Sequence, residues 1–307
     1  MSLKKLVAET LAPAATDRPY ALIDYPNYLN PGDAAIWLGA RQVLEALNGR
    51  QPAYSSTLRH FSPRSCRRAI GDGVIYFSGG GNFGDLYPRH QRMRNEVLKA
   101  MPDNPIVLLP MSCAWSDIVD DILVAETVQL FGERSSLLVF ARDRRAQRSL
   151  SDRCGIESVL CPDVAHVLVL QAAQHKQEIL HLFRKDREQK NKIEASTIDA
   201  VDWRDFAGQR IMNKVGKLFL FEVISGIRVG LQDWVARQKV RLAVQVLSAA
   251  RTVVTDRLHA ALLAGAIGRE VVVLDNATGK LNAYFETWHD LLPNGMNLQA
   301  GKEHEQL

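Results

Sequence analysis

The feature that most constrains this chain is an alternation. Apolar runs of four to six residues recur between longer segments whose apolar residues return at helical spacing. A short, continuous apolar run suits a strand covered on both faces, and parallel neighbours of that kind must be joined by crossover segments, usually helices. An α/β fold is therefore expected. Strands are predicted at 20–24, 74–77, 106–109, 137–140 and 159–161, with helices at 33–47 and 91–101 and a third running from Ser116, a candidate N-cap, to about 130. Residues 171–177 are polar and carry no strand pattern. A second series follows, with strands at 178–183, 252–255 and 271–275, the last of the chain, and helices at 240–250 and 258–266. The tail after Pro293 is polar and expected to fray. A chain of 307 residues exceeds the reach of one hydrophobic core, so two Rossmann-like parallel-sheet domains are predicted, 1–173 and 174–307, with a cleft between them.

Composition excludes several classes. The longest apolar stretches, such as 106–110 and 271–274, fall far short of the ~20 residues a bilayer requires, and the N-terminus has no apolar h-region. A chain that stays in the cytoplasm is expected. Cys66, Cys113, Cys154 and Cys161 are scattered, form no C-x-x-C pair and suit reduced thiols rather than a disulfide scaffold. The net charge of +4, with acids and bases interspersed, leaves no footprint for nucleic acid and is accounted for by a mildly basic anion site.

Open parallel sheets place ligands beyond the carboxyl ends of their strands, so the residues after each strand are the candidates. After 74–77 comes Gly79-Gly80-Gly81-Asn82, followed by Asp85; consecutive glycines let main-chain N–H groups approach an anion, and a mere tight turn needs fewer of them. The segment is neither a Walker A loop nor a G-x-G-x-x-G fingerprint. After 20–24 stand Asn30 and Asp33, placed either to cap a helix or to touch a substrate. Arg142 and Arg184 each follow a strand beside an acid, where a surface ion pair competes with bidentate recognition of carboxylate or phosphate; Lys185, Arg187 and Glu188 read as solvated. Arg257 and His259 open a small-residue helix, at the positive end of its dipole, where imidazole can exchange protons near neutral pH. Lys280 either holds phosphate or begins a helix, and Tyr284, Phe285 and Trp288 on that helix read as core before sugar platform.

Taken in order, FSGGGNFGDLY at 77–87, NPGD at 30–33, FRKDRE at 183–188, TDRLHAALLA at 255–264 and DNATGK at 275–280 resemble the polysaccharide pyruvyl transferase family along nearly the whole chain. The Arg-Leu-His segment and the glycine turn are the specific parts. The resemblance implies a glycosyltransferase-B-like pair of domains and a metal-independent enzyme without a cofactor, which moves pyruvate from phosphoenolpyruvate to a sugar of a bacterial cell-surface polysaccharide or its lipid-linked precursor and forms a ketal. Arg257 and His259 fall on the family's Arg-Leu-His motif, Arg142 on its first-half arginine, and Gly79, Gly80, Gly81 and Asn82 on its glycine loop. Where the family commonly has Pro-Gln-Ser, this chain reads Pro110-Met111-Ser112.

On that basis Arg142 and Arg257, with Arg184 or Lys280, are expected to clamp carboxylate and phosphate, and His259 to move the proton. The glycine amides and Asn82 would orient a substrate, with Asp85 or Asp33 binding sugar hydroxyls or serving as base. A lipid-linked acceptor would bring at most peripheral association with the inner face of the membrane. Two other readings stay open: a nucleotide-sugar glycosyltransferase using Asp256 or Asp275 to hold ribose, and a non-catalytic saccharide-binding protein using the aromatics near Trp288 and the apolar run 218–221.

Overall fold

The computed structural model of the chain describes residues 1–185, 199–218 and 230–298. It contains two sheets, and every strand pairing in them is parallel. The first comprises β1 (Ala21–Tyr25), β2 (Tyr54–Thr57), β3 (Ile75–Phe77), β4 (Gly80–Phe83), β5 (Ile106–Cys113), β6 (Leu137–Ala141) and β7 (Val159–Leu160). Its order is β2-β1-β3-β5-β6-β7, with β4 pairing beside the far end of β5. The second runs in chain order through β8 (Gln177–Leu182), β9 (Ala250–Thr255), β10 (Glu270–Val273) and β11 (Met296–Leu298). The chain leaves β1 toward β2 on one side and returns to β3 on the other, so the topological switch point of the first sheet lies between β1 and β3.

Ten described helices complete the fold: α1 (Leu3–Leu11), α2 (Pro31–Asn48), α3 (Pro63–Ile70), α4 (Pro88–Ala100), α5 (Asp121–Gly132), α6 (Arg144–Cys154), α7 (Ala207–Leu218), α8 (Leu231–Ser248), α9 (Leu258–Ala266) and α10 (Lys280–Trp288). Proline opens α2, α3 and α4, where its missing N–H costs nothing and its fixed φ is already helical. None of the described helices is long and apolar enough to cross a membrane.

One face of the first sheet packs against α3 to α6 through residues such as Ile75, Phe77, Met93, Val97 and Leu150. Its other face joins α1, α2, α8, α9, α10 and the second sheet in one continuous apolar cluster that runs from Leu3 to Trp288. Helix α2 is the middle layer: Trp37 Nε1 donates to Asp233 Oδ1 of α8 at 2.8 Å, and Arg41 Nη2 pairs with Asp233 Oδ2 at 2.9 Å. The two halves thus share a core.

The two-sheet α/β expectation holds, and several local expectations need correction. Helix α1 and strand β2 were not anticipated. The described tail, 293–298, is held in place, because β11 pairs with β10 and Met296 fills the space beside Gly265, where a Cβ would lie 2.4 Å from its sulfur. Strand β5 extends to Cys113 because β4 supplies a partner for its second half. Helix α5 starts at Asp121, with Asp120 accepting from the Leu123 amide at 3.1 Å, and Ser116 is not its cap. Arg187, Glu188 and residues 219–221 lie outside the described residues.

Candidate active site

The carboxyl ends of both sheets face one cavity of about 340 Å³. Among the described residues four cations line it: Arg142 after β6, Arg184 after β8, Arg257 after β9 and Lys280 at the start of α10. Among the described residues Asp33 is the one carboxylate in the lining, while behind it Asp163 pairs with Arg142 and Asp202 with Arg257, so Arg184 and Lys280 add the charge that suits the space to an anion. Arg142 is almost fully buried, with Nη1 donating to Asp163 Oδ2 at 2.8 Å and Nε to Ser112 Oγ at 3.1 Å. Its remaining nitrogen, Nη2, turns toward Gly81, where an added Cβ would lie 3.4 Å from it and 3.2 Å from Lys280 Nζ. Lys280 reaches across from the second half and donates to the Gly81 carbonyl at 2.8 Å. Two cationic groups therefore meet above a residue that has no side chain to obstruct them.

His259 stands beside them in the first turn of α9, a helix whose N-cap, Arg257, supplies no capping side-chain bond. Its Nε2 lies 3.1 Å from Asp163 Oδ2, the same oxygen that receives Arg142. Burial opposes ionisation of Asp163, but His259, Arg142 and the Ala165 amide outweigh it and hold the carboxyl well below the usual carboxylate range. The result is an ionised carboxylate orienting an imidazole and a guanidinium at once. Behind it, the Asp163 amide donates to the Tyr284 hydroxyl at 3.1 Å, and that hydroxyl lies 2.8 Å from His166 Nε2. Burial pushes the His166 imidazole down to about 4.

The rest of the lining belongs to the switch point of the first sheet. Tyr28, Asn30 and Asp33 follow β1, and Asn82, Tyr87 and His90 follow β3. Asn30 caps α2 and also donates to Asp33 Oδ2 at 2.6 Å. Burial raises the Asp33 carboxyl above its ordinary value, against the pull of His259, Asn30, His90 and Arg184. His90 Nδ1 lies 2.8 Å from Asp24 Oδ2, and Arg94 holds Asn82 by its carbonyl and its side-chain oxygen.

This arrangement coincides with a family. The sequence profile described as polysaccharide pyruvyl transferase matches residues 30–278, from Asn30 at the cap of α2 to Thr278 just before α10. The chain belongs to the polysaccharide pyruvyl transferase family. It is 26% identical to EpsO of Bacillus subtilis, provisionally named a pyruvyl transferase, across all of this chain and 97% of that one. It is 27% identical to pyruvyl transferase 1 of Schizosaccharomyces pombe, across 87% of this chain and 69% of that one. A crystallised Klebsiella pneumoniae protein of uncharacterised function shares the fold, with a TM-score of 0.61, 16% identity, and coverage of 98% of this chain and 100% of that one.

Within this pyruvyl transferase family member, the cavity brings together Asn30, Asp33, Gly81, Asn82, Arg142, Arg184, Arg257, His259 and Lys280 of the residues expected from sequence. Gly79, Gly80 and Asp85 do not line it. Gly79 is small because the Pro110 carbonyl would lie 2.3 Å from a Cβ, and Gly80 because its φ is +129°; these two fit β4 against β5, and only Gly81 meets the cavity. Asp85 is corrected to a loop-holding residue, since its carboxylate accepts from the Ser116 amide and hydroxyl and from the Asp120 amide at 2.5–2.8 Å. Asp256 accepts from the Arg184 amide and Asp275 from the Asn282 amide, and neither lines the cavity. Tyr284, Phe285 and Trp288 are core. Sequence reasoning missed Asp163, Asp24 and His90. Asp163 follows β7, so the strand-end rule extended by one strand finds it.

Proposed function

We propose that this protein transfers the pyruvyl group of phosphoenolpyruvate to two hydroxyls of a sugar, in a cell-surface polysaccharide or its lipid-linked precursor, closing a ketal and releasing phosphate. The observation that carries the reading is the meeting of Arg142 and Lys280 over Gly81, beside His259 on its buried carboxylate Asp163. Phosphoenolpyruvate holds a carboxylate and a phosphate on the same carbon, and the convergence of Arg142, Arg184, Arg257 and Lys280 on one cavity supports a compact multiple anion there. The arginines supply planar forks, and Lys280 a point charge.

In this reaction the methylene carbon gains a proton as a sugar oxygen bonds to the carbon bearing the carboxylate. The carbon–oxygen bond to phosphate then breaks, and the second hydroxyl closes the ring. Of the two hydroxyl protons displaced, one ends on the new methyl group and the other on phosphate, so the balance closes without a redox cofactor. His259 is the proton donor to the methylene carbon, and Asp163 stabilises the charged imidazole without itself taking up the proton. Arg142, Lys280, Arg257 and Arg184 offset the charge that gathers on the departing phosphate. The reaction belongs in the cytoplasm, at the inner face of the membrane where the acceptor is lipid-linked.

The test is incubation of the purified protein with phosphoenolpyruvate and a panel of oligosaccharides, read by mass spectrometry for a pyruvyl increment and by phosphate release. Both are expected together. A product formed from a nucleotide-sugar and none from phosphoenolpyruvate would overturn the reading.

A further inference from the structure

We propose that His90, backed by Asp24, is a second proton-transfer residue of the cavity, the base that takes the proton from the attacking sugar hydroxyl. This inference rests on the reaction proposed above and assigns its acceptor side. The reaction joins a compact anion to a neutral polyol, so besides cations it needs a group that takes a proton from the polyol. The cavity's cations come from the ends of β6, β8 and β9 and from α10. The segments after β1 and β3 add Tyr28, Asn30, Asp33, Asn82, Tyr87 and His90, with Lys280 Nζ 5.3 Å from the centroid of the Tyr87 ring. Aromatic faces and amides suit the C–H faces and hydroxyls of a sugar.

His90 is built to move a proton. Its Nδ1 lies 2.8 Å from Asp24 Oδ2, with the two side chains only 13% and 3% exposed. Asn82 Nδ2 lies 3.2 Å from the same nitrogen; with Asp24 ionised, Nδ1 carries the proton and Nε2 is left for a ligand. Burial opposes the charge on Asp24, but His90 and Arg94 prevail and its carboxyl lies below the ordinary value. Asp24 also has a φ of +70°, and among the described residues it is the one non-glycine with positive φ. Aspartate enters that region more readily than most residues, and such backbone clusters at functional sites. The imidazole is fixed between Tyr28 and Tyr87, each edge-on to it with ring centroids 6.3 and 6.4 Å away. The charged and titratable groups that face it are Asp24 from β1, Asp33 from α2, the two tyrosines, and Arg94 one turn along its own helix.

As the acceptor O–H bond breaks, its proton passes to His90 Nε2 and its oxygen bonds to the carbon that bears the carboxylate. The electron pair of the double bond takes a proton from His259. Phosphate later leaves with the electron pair of its carbon–oxygen bond and receives the proton held on His90. The second hydroxyl then closes the ketal and returns a proton to His259. Two histidine–aspartate pairs at one cavity, His259 with Asp163 and His90 with Asp24, thereby share the two proton movements.

The experiment compares the transfer kinetics of His90→Ala, His90→Gln and Asp24→Asn with wild type; asparagine tolerates left-handed backbone, so the last variant removes charge without refolding β1. For the His90 variants kcat is expected to fall about 10²- to 10⁴-fold, with KM for phosphoenolpyruvate within a few-fold of wild type. The acid limb of the kcat pH profile should vanish, and added imidazole should restore part of the turnover of His90→Ala. Asp24→Asn should lower kcat without raising KM for phosphoenolpyruvate. If His90→Ala does not fold, His90→Gln decides. Variants with kcat within about threefold of wild type overturn the assignment, as does a reduced kcat with the acid limb intact and no rescue, which marks a packing role. Wild-type protein that transfers pyruvate to no sugar refutes the reaction itself; wild-type transfer with unaffected His90 variants refutes this assignment alone.

Discussion

Gly32→Ala tests whether the close seating of α2 against His259 matters to catalysis. Gly32 sits in the first turn of α2, and a Cβ built there would lie 2.6, 2.8 and 2.9 Å from His259 Cβ, Cγ and Nδ1. Comfortable carbon contacts begin near 3.5 Å, so something must give way by about 1 Å. Rotating the imidazole does not help, because the nearest atom is the His259 Cβ, fixed by the backbone of α9. The N-terminus of α2 resists as well, since the Gly32 amide donates to Asn30 Oδ1 at 3.2 Å and Trp37 is tied to Asp233 further along. The two helix ends must therefore separate, at a cost of about 1–3 kcal/mol for overpacking. A displacement of that size lengthens the 3.1 Å contact between His259 and Asp163 beyond hydrogen-bonding range. Misplacing a catalytic group by about 1 Å costs on the order of 10²-fold, so kcat/KM for phosphoenolpyruvate should fall about 100-fold while the protein remains folded. The assay pairs steady-state phosphate release with urea unfolding, and uses Gly132→Ala as control, since a Cβ at Gly132 meets nothing within 4 Å. A folded Gly32→Ala protein with kcat/KM within threefold of wild type would refute both the steric argument and the role given to His259.

Asp163→Asn should destabilise the protein by about 3–5 kcal/mol, because it leaves Arg142 buried without its counter-charge. Since the folded-state pKa of Asp163 is depressed, its contribution is present above the unfolded value near 4 and is lost as pH falls below it, so the unfolding midpoint of wild type should drop more steeply in acid than that of the variant. Lys239, whose Nζ donates to the Tyr28 carbonyl at 2.8 Å, is pushed down to about 8 by burial. Between about 8 and the unfolded value near 10.5 the unfolded chain binds the extra proton, so wild type should gain stability with rising pH, at up to about 1.4 kcal/mol per unit, relative to Lys239→Met. Urea midpoints measured from pH 7.5 to 9.5 check the difference, and parallel curves would contradict it. Arg142→Lys cannot serve Asp163, Ser112 and the space over Gly81 with one nitrogen, and the loss of a charged hydrogen bond worth about 1.5–3 kcal/mol should lower kcat/KM on the order of 10- to 100-fold.

How far the sequence disclosed this arrangement depended on the length of each signal. β3, β6 and α9 were legible because their apolar runs are continuous and punctuated by Gly79, Asp143 and Arg257. β11 was not, because three residues with one polar centre carry too little alternation, and its order comes from pairing with β10 and from Met296 meeting Gly265. At the site, the cations and His259 were visible from their places after strands. The residues that set them were hidden. A lone aspartate such as Asp163 or Asp24 is commonplace in sequence and acquires meaning only from a partner 96 or 66 residues away. His90 was missed because the helix was expected from 91, whereas Pro88 opens it and puts His90 in its first turn. The three glycines looked like a single device, yet two answer to the neighbouring strand and one to the cavity, where Arg142 and Lys280 close over it.

The shared core bears on how relatives could be recombined. Helix α10 follows β10 of the second sheet, yet its Trp288 donates to the Arg142 carbonyl at 2.8 Å and its Thr287 hydroxyl accepts from the Arg144 amide at 3.1 Å. Asp233 of α8 is likewise engaged by Trp37 and Arg41 of α2. A chimera cut between the sheets, made to exchange acceptor preference between two family members, would join unmatched halves of one interior. Grafting the wall that carries Tyr28, Asn82 and His90 within a single parent leaves that interior whole.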